Sequence, residues 1–282
     1  MSEGTSPTSY MMDAENVAEM ARLIKQARML TEAIGLFPDM GALEKAQSVL
    51  DIGSGPGEWV LEVARHYPHL SVTGIDISQT MTAYANTIAA DQDVSNARFQ
   101  IMDARQKLDF PSESFDIVYT RLMSSFLRTD DWVPVLRECY RILRPGGILC
   151  SNESELGVTT APAMTRYTGL FAEALRRTGK CFSPEGISIG ITAVQHRLLA
   201  EAGFTRIQAQ AHALNGSKGM PAHDAIMDDW RTGFKLLQPL IIRCGLSTQE
   251  ELDVLYARML DEAEEDTFCC LWYCQTVWGV KP

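Results

Sequence analysis

The sequence predicts an α/β fold built on a doubly wound, mostly parallel sheet with helical cap insertions. Three observations predict it. Short apolar runs bounded by turn residues alternate with helix-length amphipathic stretches through the first half of the chain. A glycine-rich turn joins the first apolar run directly to a helix. The 282 residues are 46% hydrophobic and 22% charged, enough for one large buried core and a substantial cap.

In chain order, Asp13 to about Leu36 carries Val17, Met20, Ala21, Ile24 and Ala27 close to helical spacing, which predicts a packed amphipathic helix. A strand over Ser48–Ile52 and a helix over Glu58–His66 follow. Ser71–Ile75 reads as a strand, Gln79–Ala90 as a helix and Ala97–Met102 as a strand. Phe115–Thr120 is a fourth strand, Asp130–Leu143 a helix and Ile148–Ser151 a fifth strand. Thr192 is a candidate N-cap for a helix through Ala202, with Gly203 as its stop. Beyond it, Ile207, Ala209, Ala211 and Ala213 alternate with polar residues as a strand does. The chain closes on an aromatic and β-branched run, Phe268–Val280, reached without a crossover helix and so expected to run antiparallel. Residues 1–40 are read as an N-terminal helical segment and 41–282 as one domain. Helical insertions are expected at about 158–189 and 216–265, and both are candidates for a lid over a ligand.

The net charge is −11. Between Gln249 and Asp266 eight acids face a single base, Arg258, so this segment alone contributes −7. Leu252, Leu255, Tyr256, Met259 and Leu260 keep a helical period among them, the pattern of a helix with one solvated acidic face. No basic stripe is available to hold phosphates, which disfavours a nucleic-acid partner. Nowhere do 18 apolar residues run together, so no membrane span is expected. Met1 to Tyr10 is small and polar and reads as neither a secretory signal nor a transit peptide. Seven scattered cysteines suit a reducing compartment, and a cytoplasmic location is expected.

The most informative stretch is Val49-Leu50-Asp51-Ile52-Gly53-Ser54-Gly55-Pro56-Gly57-Glu58. Glycine there supplies positive φ and lets the backbone approach a ligand at a helix N-terminus. The spacing is Gly-x-Gly-x-Gly, with Glu58 where a dinucleotide fingerprint has its third glycine. Asp76 ends the second strand, where a carboxylate accepts from both ribose hydroxyls. Asp103 ends the third, within reach of an adenine amino group. Alone, each acid could be a solvated strand end; together they mark one edge of the sheet.

This combination resembles the class I S-adenosylmethionine-dependent methyltransferases, of the small-molecule type, with a Rossmann-like seven-stranded sheet. The first motif is similar to Asp51–Gly57, the second-strand acid to Asp76, and the third-strand pair to Asp103-Ala104. Phe115-Asp116-Ile117-Val118 and Leu143-Arg144-Pro145-Gly146-Gly147-Ile148 match the family's fourth strand and the entry to its fifth. The resemblance is close over about residues 45–152 and loose beyond. It implies S-adenosylmethionine as cofactor. Gly53, Ser54 and Gly55 would lie against its methionine part, with Asp51 of the same motif also cofactor-binding, Asp76 at the ribose, Ile77 at the adenine face, and Asp103-Ala104 at the adenine edge. Arg121 is a candidate partner of the cofactor carboxylate or of the substrate, and Tyr10 is expected to close over the cofactor.

Methyl transfer from a sulfonium is an in-line displacement whose leaving group is already activated, so alignment matters most and a general base is optional. Glu153 and Glu155 after the fifth strand, His212 in the sixth and His223 at the second insertion are the candidate bases; Glu153 and His212 are taken as catalytic. Trp230, Phe234 and Met227 are candidates for a pocket wall, with ordinary core packing the stronger reading. Cys270 and Cys274 share a strand face from which Cys269 points away, a poor metal cage, and no metal is expected.

The acceptor implied is a small organic molecule. Thr120-Arg121-Leu122-Met123 stands where amino-methylating DNA enzymes carry an Asn/Asp-Pro-Pro-aromatic tetrapeptide. Two alternatives stay open at this point: an NAD-dependent oxidoreductase using the same turn and ribose carboxylate, and a non-catalytic S-adenosylmethionine-binding module. Glycine spacing counts against the first and the two insertions against the second.

Overall fold

The structure, a computed structural model, describes residues 10–282. Apart from Tyr10, the segment on which the absence of a leader was read lies outside the described residues. Helix α1 (Val17–Ile34) starts later than Asp13, because Asn16 is its N-cap: the side-chain oxygen accepts from Ala18 N–H at 2.8 Å. A short helix α2 (Met40–Lys45) leads into strand β1 (Ser48–Ile52). Then come α3 (Glu58–His66), β2 (Ser71–Asp76), α4 (Gln79–Asp91), β3 (Ala97–Ile101), β4 (Phe115–Arg121), α5 (Trp132–Ile142) and β5 (Leu143–Ser154). The second half contains β6 (Val158–Thr159), α6 (Pro162–Arg177), α7 (Ile191–Glu201), β7 (Thr205–Asn215), α8 (His223–Arg243), α9 (Gln249–Ala263) and β8 (Cys270–Val280).

Strands β3-β2-β1-β4-β5 are hydrogen-bonded in that order and all run parallel. The order reverses between β1 and β4, and a ligand crevice forms outside the carboxyl ends at such a point. The final strand, β8, is antiparallel to β5, as expected of a strand reached without a crossover helix. On its far edge β8 pairs with β7, and the two-residue β6 continues the β5 side. The sheet therefore has eight strands rather than seven, the extra one being this short extension.

Strand residues alternate between faces, so each strand supplies two cores. Leu50, Ile52, Val118 and Leu149 join α5, α7 and the cap helices on one side. Val49, Ile117, Tyr119 and Cys150 join α3 on the other, where Trp59 stacks on Tyr119 with ring centroids 3.9 Å apart.

Three local readings are corrected. Strand β5 continues to Ser154, so Glu153 lies inside the strand. Thr192 is not a cap: Gly190, at φ +75, occupies that position, and the Glu155 carboxylate accepts from the Gly190 and Thr192 N–H groups. The stretch 158–189 opens with β6 paired to β8 and is helical only over α6. Helix α9 has its expected form, with Leu252 and Met259 buried and a reciprocal Thr248–Glu251 cap.

Gly57 joins the glycine turn to α3 at φ +86, and a Cβ there would lie 2.6 Å from the Phe99 ring and 2.9 Å from Ala85 Cβ. Gly57→Ala therefore adds left-handed strain and overpacking, an expected loss of roughly 3 kcal/mol. Urea unfolding measures it; an unchanged midpoint would contradict the assignment.

Candidate active site

One deep cleft opens over the carboxyl ends of β1, β2 and β4 and extends beneath the cap. All ten residues expected to bind the cofactor line it: Tyr10, Asp51, Gly53, Ser54, Gly55, Asp76, Ile77, Asp103, Ala104 and Arg121. Gly53 and Gly55 hold φ +71 and +53, a backbone that L side chains rarely adopt. The turn is tied to β2 because Gly53 and Ser54 N–H both donate to Ile75 C=O, at 2.9 and 3.0 Å.

Asp76 completes the tie. Its Oδ2 accepts from Gly55 N–H at 2.8 Å and its Oδ1 from Ser78 N–H at 2.9 Å. Each carboxylate oxygen keeps acceptor capacity for a further donor in the cleft. Burial raises its pKa, and the backbone donors oppose that rise. Asp103 is engaged differently. Arg105 clasps both its oxygens, Nε to Oδ1 at 2.9 Å and Nη2 to Oδ2 at 2.8 Å. Burial pushes the Asp103 carboxyl up, but the Arg105 hydrogen bonds and charge hold it below the usual range.

Asp51 and Arg121 face the same end of the cleft. Burial pushes the Asp51 carboxyl up to about 8, against the opposing charge of Arg121. The Arg121 Nη1 is buried with no hydrogen-bond partner among the described residues. A buried guanidinium nitrogen left without an acceptor is unfavourable, and a ligand carboxylate would satisfy it. With the glycine turn and Asp76, these residues fit the zwitterionic tail and the ribose of S-adenosylmethionine.

A strap ahead of α1 crosses above this trough, with Tyr10, Met11, Met12 and Ala14 facing it. Met11 N–H donates to Ser125 C=O at 3.1 Å, and the Ser78 hydroxyl donates to Ala14 C=O at 2.9 Å. The Glu15 carboxylate accepts from Gln79 and Thr80 N–H at the start of α4, each at 3.0 Å. Tyr10 turns its hydroxyl to Glu19.

Under the cap the walls become apolar and aromatic: Leu156, Phe171, Trp230, Phe234, Leu237 and Trp272. Trp230 lies 5.8 Å from Phe234 and 6.1 Å from Trp272, centroid to centroid. Of Trp230, Phe234 and Met227, all three pack in the core as helical spacing favours, and Trp230 and Phe234 also line the cleft. The polar wall residues Arg22, Gln26 and Asp229 went unnoticed. A signal existed on α1, where Glu19, Arg22 and Gln26 fall at helical spacing on one face. Nothing in the chain connected that face to Asp229.

The two candidate catalytic groups do not reach the cleft. Glu153 is fully buried and caps the 3-10 turn Met123–Ser125, accepting from Met123 N–H at 2.7 Å and Ser124 N–H at 3.2 Å. Burial pushes its carboxyl up to about 7. His212 sits within β7 with Nε2 3.2 Å from Thr276 Oγ1, and partial burial lowers its pKa. His223 packs on Phe268 with Nδ1 2.9 Å from Gly216 C=O. Of the four candidates only Glu155 lines the cleft, and α7 already occupies both its oxygens. Cys270 and Cys274 are buried and Cys269 is exposed, and all three are free thiols.

Glu153 gives a test by pH. Between about pH 4.5 and 7 the folded chain holds a proton that the unfolded chain has released. This group's contribution to stability is therefore full below about 4.5 and is lost as the pH rises through 7. Glu153→Gln is expected to flatten that part of the Tm–pH profile; parallel profiles for variant and parent would refute it.

Comparison with known proteins agrees with the geometry. Residues 49–147 match the methyltransferase domain family. The chain is similar to methyltransferase str2 of Strobilurus tenacellus, 29% identical over 204 residues, covering 71% of this chain and 62% of the relative. It is also 33% identical over 115 residues to demethylmenaquinone methyltransferase of Listeria monocytogenes, covering 40% of this chain and 47% of the relative. The chain thus spans less than two thirds of either relative's length. Among solved structures, Haemonchus contortus phosphoethanolamine N-methyltransferase 2, bound to phosphomonomethylethanolamine and S-adenosylhomocysteine, superposes with a TM-score of 0.56 at 19% identity. That match covers 94% of this chain and 57% of the other, and shows a shared fold. The glycine turn, the strand-end acids and the sheet order agree with the methyltransferase-domain match, which spans residues 49–147 of the chain.

Proposed function

We propose that this chain transfers the methyl group of S-adenosylmethionine to a small organic acceptor by in-line displacement. One observation carries the reading: a single cleft joins the glycine turn and Asp76 to an aromatic chamber enclosed by α6, α8 and β8. When bound, the cofactor supplies an electrophilic methyl on a sulfonium leaving group. Asp76 would accept the ribose hydroxyls, Ile77 would flank the adenine, and Asp103-Ala104 would take its edge. Gly53, Ser54 and Gly55 would lie along the methionine part, with Asp51 toward its ammonium and Arg121 toward its carboxylate. The strap with Tyr10 would exclude water from above, and Trp230, Phe234 and Trp272 would hold the acceptor. Holding two reactants in line in this way contributes roughly 7–11 kcal/mol to such reactions.

Residues 41–282 would form the methyltransferase domain, with 158–189 and 216–265 as the insertions that shape the acceptor chamber. A small-molecule acceptor, rather than nucleic acid, is supported by the net charge of −11. Seven free cysteines support a reducing, cytoplasmic setting. Among the described residues, no helix is long and apolar enough to cross a membrane.

Calorimetry with S-adenosylhomocysteine tests the cofactor assignment. The parent chain is expected to bind it and to ignore NAD. Asp76→Ala should weaken binding roughly tenfold or more, from the charge-assisted bonds lost, with the circular dichroism spectrum unchanged. Unchanged affinity would remove Asp76 from the ribose site.

A further inference from the structure

The wall between α1 and α8 holds a charged network that meets the cofactor assignment only at Tyr10, whose hydroxyl donates to Glu19. Arg22 donates from Nε and Nη2 to the two oxygens of Glu19, at 2.8 and 2.7 Å, and from Nη1 to Asp229 Oδ1 at 2.7 Å. Gln26 Nε2 donates to both Asp229 oxygens at 3.2 Å. Glu19, Arg22, Gln26 and Asp229 are all buried. Two carboxylates share one guanidinium in a desolvated place, an arrangement that an approaching cation would stabilise.

Asp229 is the member able to meet it. It lines the chamber and sits next in sequence to Trp230, on the same cleft wall as Phe234 and Leu237. Its Oδ2 receives only the long Gln26 bond, whereas Oδ1 receives Arg22 and Gln26. Glu155, the other carboxylate under the cap, has both oxygens taken by the start of α7. The zwitterionic tail of the cofactor has its own complement in Asp51 and Arg121, and Asp229 lies outside the methyltransferase-domain match, on an inserted helix.

We infer that Asp229 is a specificity determinant that receives a protonated amine of the acceptor, whose apolar or aromatic body lies against Trp230 and Phe234. The inference rests on the reading of this cleft as a joint cofactor and acceptor site. Burial raises the Asp229 pKa and the Arg22 charge opposes that rise, so an approaching ammonium would stabilise the ionised form further. The electron-rich faces of Trp230 and Phe234 favour a cation as well. A carboxylate-bearing acceptor would meet a wall of its own sign.

Three probes of similar size separate the possibilities: tyramine, neutral 4-ethylphenol and anionic 4-hydroxyphenylacetate, titrated calorimetrically into the full chain saturated with S-adenosylhomocysteine. Tyramine is expected to bind about tenfold or more tightly than 4-ethylphenol, with 4-hydroxyphenylacetate weakest. Asp229→Asn should abolish the preference for tyramine and leave S-adenosylhomocysteine affinity within about twofold. No tyramine binding at millimolar concentration, or 4-ethylphenol binding as well as tyramine, overturns the inference. An equal loss of S-adenosylhomocysteine affinity in Asp229→Asn also overturns it and assigns the network to the cofactor tail. Should that variant fail to fold, the order of the three probes on the parent chain decides alone. Failure of S-adenosylhomocysteine itself to bind would be read separately, as failure of the cofactor assignment.

Discussion

The cleft depends on one carboxylate. Asp76 closes β2, and its two oxygens hold Gly55 in the turn after β1 and Ser78 at the entry to α4. The turn after β1 and the entry to α4 are thereby held against the same strand end. A buried carboxylate is stable there because backbone N–H groups replace the water it has lost. The same group that shapes the turn also lines the cleft.

Much of the sheet was legible because β1, β2 and β4 are covered on both faces and read as nearly continuous apolar runs. The strand-end residues were legible for a related reason: Asp51 and Asp76 are acids at the ends of such runs, and Asp103 follows the more exposed β3. Strand β5 was cut short because Ser151-Asn152-Glu153-Ser154 looks like a solvated loop. It is a buried strand instead, in which Asn152 Nδ2 donates to Thr276 Oγ1 at 2.7 Å and Glu153 accepts from the turn after β4. Polarity alone could not separate a partnered interior group from a wet one.

The acceptor side was less legible because its key contacts cross long stretches of chain. Arg22 and Asp229 are 207 residues apart, and no periodicity links them. The start of α7 offers a similar case, where Thr192 looked like a local cap and the carboxylate serving it arrives from Glu155, 37 residues earlier. Aromatic residues at helical spacing on α8 fit core and pocket equally well until β8 brings Trp272 beside them.

The strap before α1 bridges both banks of the trough, fastened to Ser125 on one side and to Ser78 and the first turn of α4 on the other. Tyr10, Met11, Met12 and Ala14 of that strap line the trough they cross. Release of a bound cofactor would then depend on how often the strap's hydrogen bonds, one of them buried between Ser78 and Ala14, open together.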